Sequence, residues 1–102
     1  MGFSLLNKKG LAKYLIDTNL DPERFSIHIS EIAPGKSPHA FHAHEGVEAI
    51  YIFRGHGIVE VEKQKHPLGP DEVIVIDATK SHGLTNTGTE PLRYMVIKTN
   101  EK

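Results

Sequence analysis

The 102-residue chain has no cysteine, which removes disulfides and thiolate metal ligands together and leaves nitrogen and oxygen as its only strong donors. It has no long apolar run either. Nothing approaches the roughly 18 residues of a membrane span, and the opening MGFSLLNKKG has no apolar stretch of about 7–15 residues after a basic segment. Gly2 does not make a myristoylation signal, because the position that needs Ser or Thr holds Leu6. Charge of one sign is scarce as well. The net charge is -1, the twelve basic residues are scattered, and Lys8-Lys9 is too short for the basic patch of a nucleic-acid-binding protein. These absences lead us to expect a soluble, cytoplasmic protein that binds neither membrane nor nucleic acid. The length fits one domain, which at this size buries about 60–68% of its unfolded surface.

A convincing helical period is also missing, and short alternating runs stand in its place. Phe25, Ile27 and Ile29 alternate with Ser26, His28 and Ser30 in the manner of a half-buried strand, and Ala33-Pro34-Gly35 stops them. EAIYIFR, from Glu48 to Arg54, is apolar on both faces and reads as a central strand between two sheets. IVEVE follows Gly55-His56-Gly57, His66 to Leu68 is a short strand, and Gly69-Pro70-Asp71 is a turn. VIVID, from Val73 to Asp77, and LRYMVIK, from Leu92 to Lys98, are two further strands. Only Leu11 to Ile16 is ambiguous, fitting a helical turn or an edge strand equally. The pattern predicts an all-β, antiparallel sandwich or barrel of jelly-roll type. It divides into an N-terminal segment 1–24 that is an edge or exchanged strand, a barrel over 25–99, and a frayed tail over 100–102.

The seven histidines are where chemistry is expected. In an extended strand residues two apart share a face, so His42 and His44 point the same way. A three-residue loop of Glu45, Gly46 and Val47 then sets Glu48 opposite His44, whereas a two-residue turn sets it on the wrong face. His82, after an apolar strand and a short polar loop, is the best-placed fourth ligand. His39 is three residues before His42, facing away and about 10 Å distant on a regular strand, and it lines the pocket only if KSPH is irregular. His28, His56 and His66 read as solvated or structural. Arg54 shares a face with Glu48 but lies about 20 Å along the strand, too far for a carboxylate clamp. Tyr51 faces away from the ligands and reads as core, while Ile50 and Tyr94 are pocket candidates.

Gly35, His42-x-His44, Glu48 and Gly55 resemble the first motif of the cupin superfamily, with Gly35 one residue upstream of the usual position. His82 and Asn86 resemble its second motif, although Asp71, Asp77 and Thr79 stand where the family has Gly, Pro and Gly. The resemblance covers about residues 25–99 and implies a jelly-roll barrel with a metal held by His42, His44, Glu48 and His82. One divalent transition metal per chain is expected, with manganese, iron, nickel, copper and zinc all compatible with such donors. Four ligands on a six-coordinate ion leave two open positions. A small metal-dependent enzyme acting on a small carboxylate, keto or sugar-acid substrate is the first functional expectation, and a non-catalytic small-molecule binding or sensing module is the second. A homodimer is expected, because a sandwich this small has sheet edges to cover.

Overall fold

Runs of Val, Ile, Tyr and Phe, each halted by Gly, Pro, Asp or Asn, become strands because β-branched and aromatic side chains suit a pleated, half-buried surface. The computed structural model describes residues 2–37 and 43–100. The strands are β1 (Phe3–Leu6), β2 (Tyr14–Asp17), β3 (Phe25–Ile32), β4 (Val47–Arg54), β5 (Gly57–Val61), β6 (Gln64–Leu68), β7 (Val73–Asp77), β8 (His82–Asn86) and β9 (Leu92–Thr99). Among the described residues no helix is long and apolar enough to cross a membrane.

Four strands form one sheet in the order β3-β9-β4-β7, and three form a second in the order β6-β5-β8. All pairings are antiparallel. The inner faces meet in one core of Ile32, Ile50, Ile52, Val59, Leu84, Leu92, Tyr94 and Val96, drawn from both sheets. Ile52, Val59 and Leu92 have no exposed surface. Truncating any of these to alanine costs about 2–5 kcal/mol, depending on how far the neighbours collapse into the space.

Asn86 closes one end. Its Nδ2 donates to the carbonyls of Ile32 and Glu90, both at 2.8 Å, and its Oδ1 accepts from the Gly88 amide at 2.8 Å. Its backbone bonds Gly35 and Lys36, so the chain leaving β3 crosses to the free edge of β8 and covers it. A side chain that is 1% exposed thereby ties the two sheets together.

Several expectations change. The stretch leading to His44 was expected to be a strand paired with β4 through a three-residue loop. Its described residues, 33–37 and 43–46, carry no strand, and the His44 amide donates to Ala78 beyond β7 while the Gly46 carbonyl accepts from Ala78. β4 is not sandwiched between two sheets: its outer face is half-covered, with Phe53 39% exposed. Tyr51 belongs to that outer face, where its hydroxyl donates to Asp71 at 2.7 Å, and is not core. Of the ambiguous segment Leu11 to Ile16, the part from Tyr14 on is strand, in β2, paired with β1, while residues 11–13 are irregular.

β3 shows the most consequential change. Its inward face is Ser26, His28, Ser30 and Ile32, and Phe25, Ile27 and Ile29 point outward. The free edge of β3 is met by the N-terminal segment, whose Lys9 carbonyl accepts from the Ile29 amide at 2.9 Å.

A candidate metal centre inside the barrel

Strand pairing sets the polar residues of the interior in rows. β9 lies between β3 and β4, so Ser26, Lys98 and Glu48 fall in one cross-strand row, with Ile76 of β7 continuing it. The next row is His28, Val96 and Ile50, and the third is Ser30, Tyr94 and Ile52. The interior therefore grades from apolar at the Asn86 end to polar at the Glu48 end.

Glu48 is 5% exposed and two imidazoles converge on it. His44 Nε2 lies 2.9 Å and His82 Nε2 3.4 Å from the same Oε1. His44 reaches Glu48 because Gly46, at φ 96°, turns the chain sharply between them. His82 is the first residue of β8, 1% exposed, with its ring edge-on to that of His44 at 5.3 Å between centroids. The other ring nitrogens are tied to backbone: His44 Nδ1 to the Glu45 carbonyl at 3.1 Å and His82 Nδ1 to the Lys80 carbonyl at 2.7 Å.

A carbonyl only accepts, so each Nδ1 carries a hydrogen, and whenever a ring is neutral its Nε2 lone pair is turned towards the carboxylate. Lone pairs aimed at a carboxylate repel unless a cation lies between them, and an Nδ1–H held by a carbonyl is the usual support of a metal-ligating histidine. The spacing suits an ion as well. Two donors each about 2.1 Å from one ion stand about 3.0 Å apart at a right angle and about 3.4 Å apart at the tetrahedral angle. All three donor atoms lie within 4.8 Å of one another. The residues present thus fit a divalent transition ion, held by nitrogen and oxygen alone.

Of the other expected site residues, Ile50 is buried on the inner face beside Glu48, and Tyr94 is buried one row further in. Burial raises the Tyr94 hydroxyl above the ordinary phenol range, a hydrogen bond with Ser30 opposes this, and the charge of Glu48 reinforces it. His42 and His39 lie outside the described residues. Arg54 is remote, paired with Glu90 at 3.4 Å on the surface.

Two interior residues escape a reading by strand alternation alone. His28 was expected to be solvated or structural, and Lys98 was not singled out, yet both face inward near Glu48. Burial, then Lys98 and Lys9, hold the His28 imidazole below its ordinary value of 6.5, against the pull of Glu48. A histidine NMR titration should therefore find His28 titrating below 6.5. The folded state takes this proton less readily than the unfolded chain, so the contribution to stability is full above the unfolded value of about 6.5 and is lost as pH falls through the lowered folded one. A midpoint at or above 6.5 contradicts the described surroundings.

A two-sheet antiparallel barrel with a buried histidine and carboxylate cluster defines a class of small β-proteins with a candidate metal site. The chain belongs to the cupin family: the Cupin domain profile matches residues 28–98. An Oxalate-binding protein of Thermotoga maritima is 31% identical over 68 residues, 66% of this chain and 55% of that protein, so the matched stretch spans little more than half of this relative. A cupin superfamily protein of Desulfitobacterium hafniense superposes with a TM-score of 0.72 at 22% identity, covering 80% of this chain and 72% of that one. A structure described as a predicted oxalate decarboxylase of Thermotoga maritima superposes with a TM-score of 0.66 at 28% identity, covering 72% and 64%.

Proposed function

We propose that this cupin holds one divalent transition metal through His44, Glu48 and His82, with His42 as the fourth ligand, and that the metal centre takes a small carboxylate. The observation that carries the reading is the convergence of two Nε2 atoms on one buried Glu48 oxygen, each ring fixed from behind by a backbone carbonyl. An ion bound there supplies Lewis acidity to an oxygen of the carboxylate. The protein contributes a fixed donor set, an apolar floor of Ile50 and Ile76 that keeps water out, and a polar wall that orients the ligand. The relatives support a carboxylate: one is named for binding oxalate and another is described as a predicted oxalate decarboxylase.

Tyr94 favours a second reading, turnover of the carboxylate. Its hydroxyl is held protonated by burial and sits in the field of Glu48, so it is placed to lend a hydrogen bond to a ligand in the interior. Binding and turnover separate in one series. The protein is loaded with manganese, iron, nickel, copper or zinc, its metal content is measured, and oxalate is added while melting temperature, formate and carbon dioxide are followed. About one metal per chain and a metal-dependent rise in melting temperature with oxalate are expected. Formate release selects the enzyme and its absence under every metal selects the binding module. A protein that takes up none of the five metals ends both readings.

A homodimer is part of this proposal. Val47, Val73, Val75 and Phe53 are 39–65% exposed on the outer face of the four-stranded sheet, and Phe3, Leu5 and Leu15 are 54–68% exposed on the β1–β2 hairpin. Apolar surface of this extent is unusual on a monomer, and a two-stranded hairpin is marginal by itself. The N-terminal hairpin is then the arm that seats against a second copy. Light scattering should give twice the 11.3 kDa chain mass at micromolar concentration, and Val75→Asp with Leu5→Asp should return it to one. A single-chain mass for the unaltered protein rules the dimer out.

A further inference from the structure

On the inner face of β9, Lys98 is the direct cross-strand neighbour of Glu48 on one side and of Ser26 on the other. Directly opposed residues on one face hold their Cβ atoms about 4.5–5.5 Å apart, well within the reach of a lysine side chain. His28 sits diagonally from Lys98 across β3 and β9, partly buried, and Lys9 and Lys8 act on it from the N-terminal segment. The interior thus has two unlike walls. One is the histidine and glutamate cluster; the other carries Lys98 of β9 with Ser26 and His28 of β3, the strand that turns Phe25, Ile27 and Ile29 outward.

A buried or half-buried lysine needs a negative partner. Glu48 is the nearest by register, but its Oε1 is engaged by His44 and His82, and a carboxylate bound to a metal has less charge to offer Lys98. An anion arriving with the ligand answers that need, and Ser26 and His28 add hydrogen-bonding groups beside it.

We infer that Lys98, with His28 and Ser26, forms a second anion subsite beside the metal centre, so that the preferred ligand is a small dianion with one carboxylate on the metal and the other on Lys98. The inference rests on the proposed metal centre and adds to it the charge of the ligand and the residues that read it. Oxamate, which has the size of oxalate but an amide in place of one carboxylate, is the natural comparison. Loss of a charge-assisted contact corresponds to about tenfold or more in affinity.

The test measures metal content and the dissociation constants of oxalate and oxamate by calorimetry, for the unaltered protein, Lys98→Met, Lys98→Arg and His28→Gln. Metal content should be unchanged throughout. Lys98→Met should weaken oxalate about tenfold and oxamate little, His28→Gln should weaken oxalate to a smaller extent, and Lys98→Arg should keep the preference for oxalate because it keeps the charge. Equal oxalate affinity in Lys98→Met and the unaltered protein overturns the subsite while leaving the metal centre standing. A change in metal affinity without a change in oxalate preference also overturns it, since Lys98 then only balances Glu48. If the unaltered protein holds no metal, the centre itself fails; oxalate binding that still depends on Lys98 keeps the subsite, and no oxalate binding removes both.

Discussion

Glu48→Gln should give a folded protein that no longer holds metal. Glutamine keeps the shape of the side chain, so packing against Ile50 and Ile76 survives, but an amide is a poor ligand beside two imidazoles. The loss should exceed the roughly 10–100-fold that follows from disturbing an outer-shell partner. The metal-free variant should melt no lower than the metal-free parent, because burying the Glu48 carboxylate is itself costly and a neutral amide avoids that cost. Adding metal should raise the melting temperature of the parent and leave the variant where it was. A metal-free variant that melts well below the metal-free parent would mean that Glu48 is a structural acid and the cluster no site at all.

Gly46→Ala should be among the most damaging single substitutions. A Cβ at this position lies 1.7 Å from the Thr99 carbonyl oxygen, and that oxygen belongs to backbone that cannot swing aside. Its φ of 96° adds a conformation that L side chains rarely adopt. Gly35 is a control within the same chain: its φ is 74°, yet among the described residues nothing stands within 4 Å of its Cβ position. Urea unfolding should find Gly35→Ala destabilised by about 1 kcal/mol, the cost of the left-handed conformation alone, and Gly46→Ala by more than about 3 kcal/mol. Because Gly46 stands between His44 and Glu48, metal uptake should fall with it. Similar losses at the two glycines would show that backbone conformation, and not the contact with Thr99, decides the matter.

That His44, Glu48 and His82 lie together was legible in the sequence because their grouping depends on local rules. Histidine and glutamate are ligand types whatever the fold, and His44, Glu48 and His82 keep motif spacings that one chain displays by itself. The path by which His44 reaches Glu48 was not legible. A hairpin and a glycine bend anchored on Ala78 both bring residues four apart together, and only the pairing with β7 decides between them. The facing of β3 was misread for a physical reason. Alternation tells that two faces differ, and hydrophobicity usually tells which is inside, but here the apolar residues stay on the outer, half-covered side while Ser26, His28 and Ser30 face the interior. Lys98 was invisible for a different reason, since its closeness to Glu48 exists only because β9 inserts between β3 and β4, fifty residues apart in sequence from one partner and over seventy from the other.

That insertion also bears on how the molecule forms. β3 and β4 have no ladder with each other; β4 can pair with β7 beforehand, but β3 joins the sheet only when β9, made after all three, slides between β3 and β4. Until residue 99 is available the large sheet does not exist, and β3 and β4 each present an open edge and an unburied apolar face. Folding should accordingly be slow for so short a chain, in the range of milliseconds to seconds expected of proteins dominated by non-local pairing. The interval before β9 docks is the one in which the nascent chain is most exposed to aggregation. A slip of one residue during that docking would turn Lys98 outward and Ile97 inward, so the step that completes the sheet also fixes whether the interior is charged or greasy.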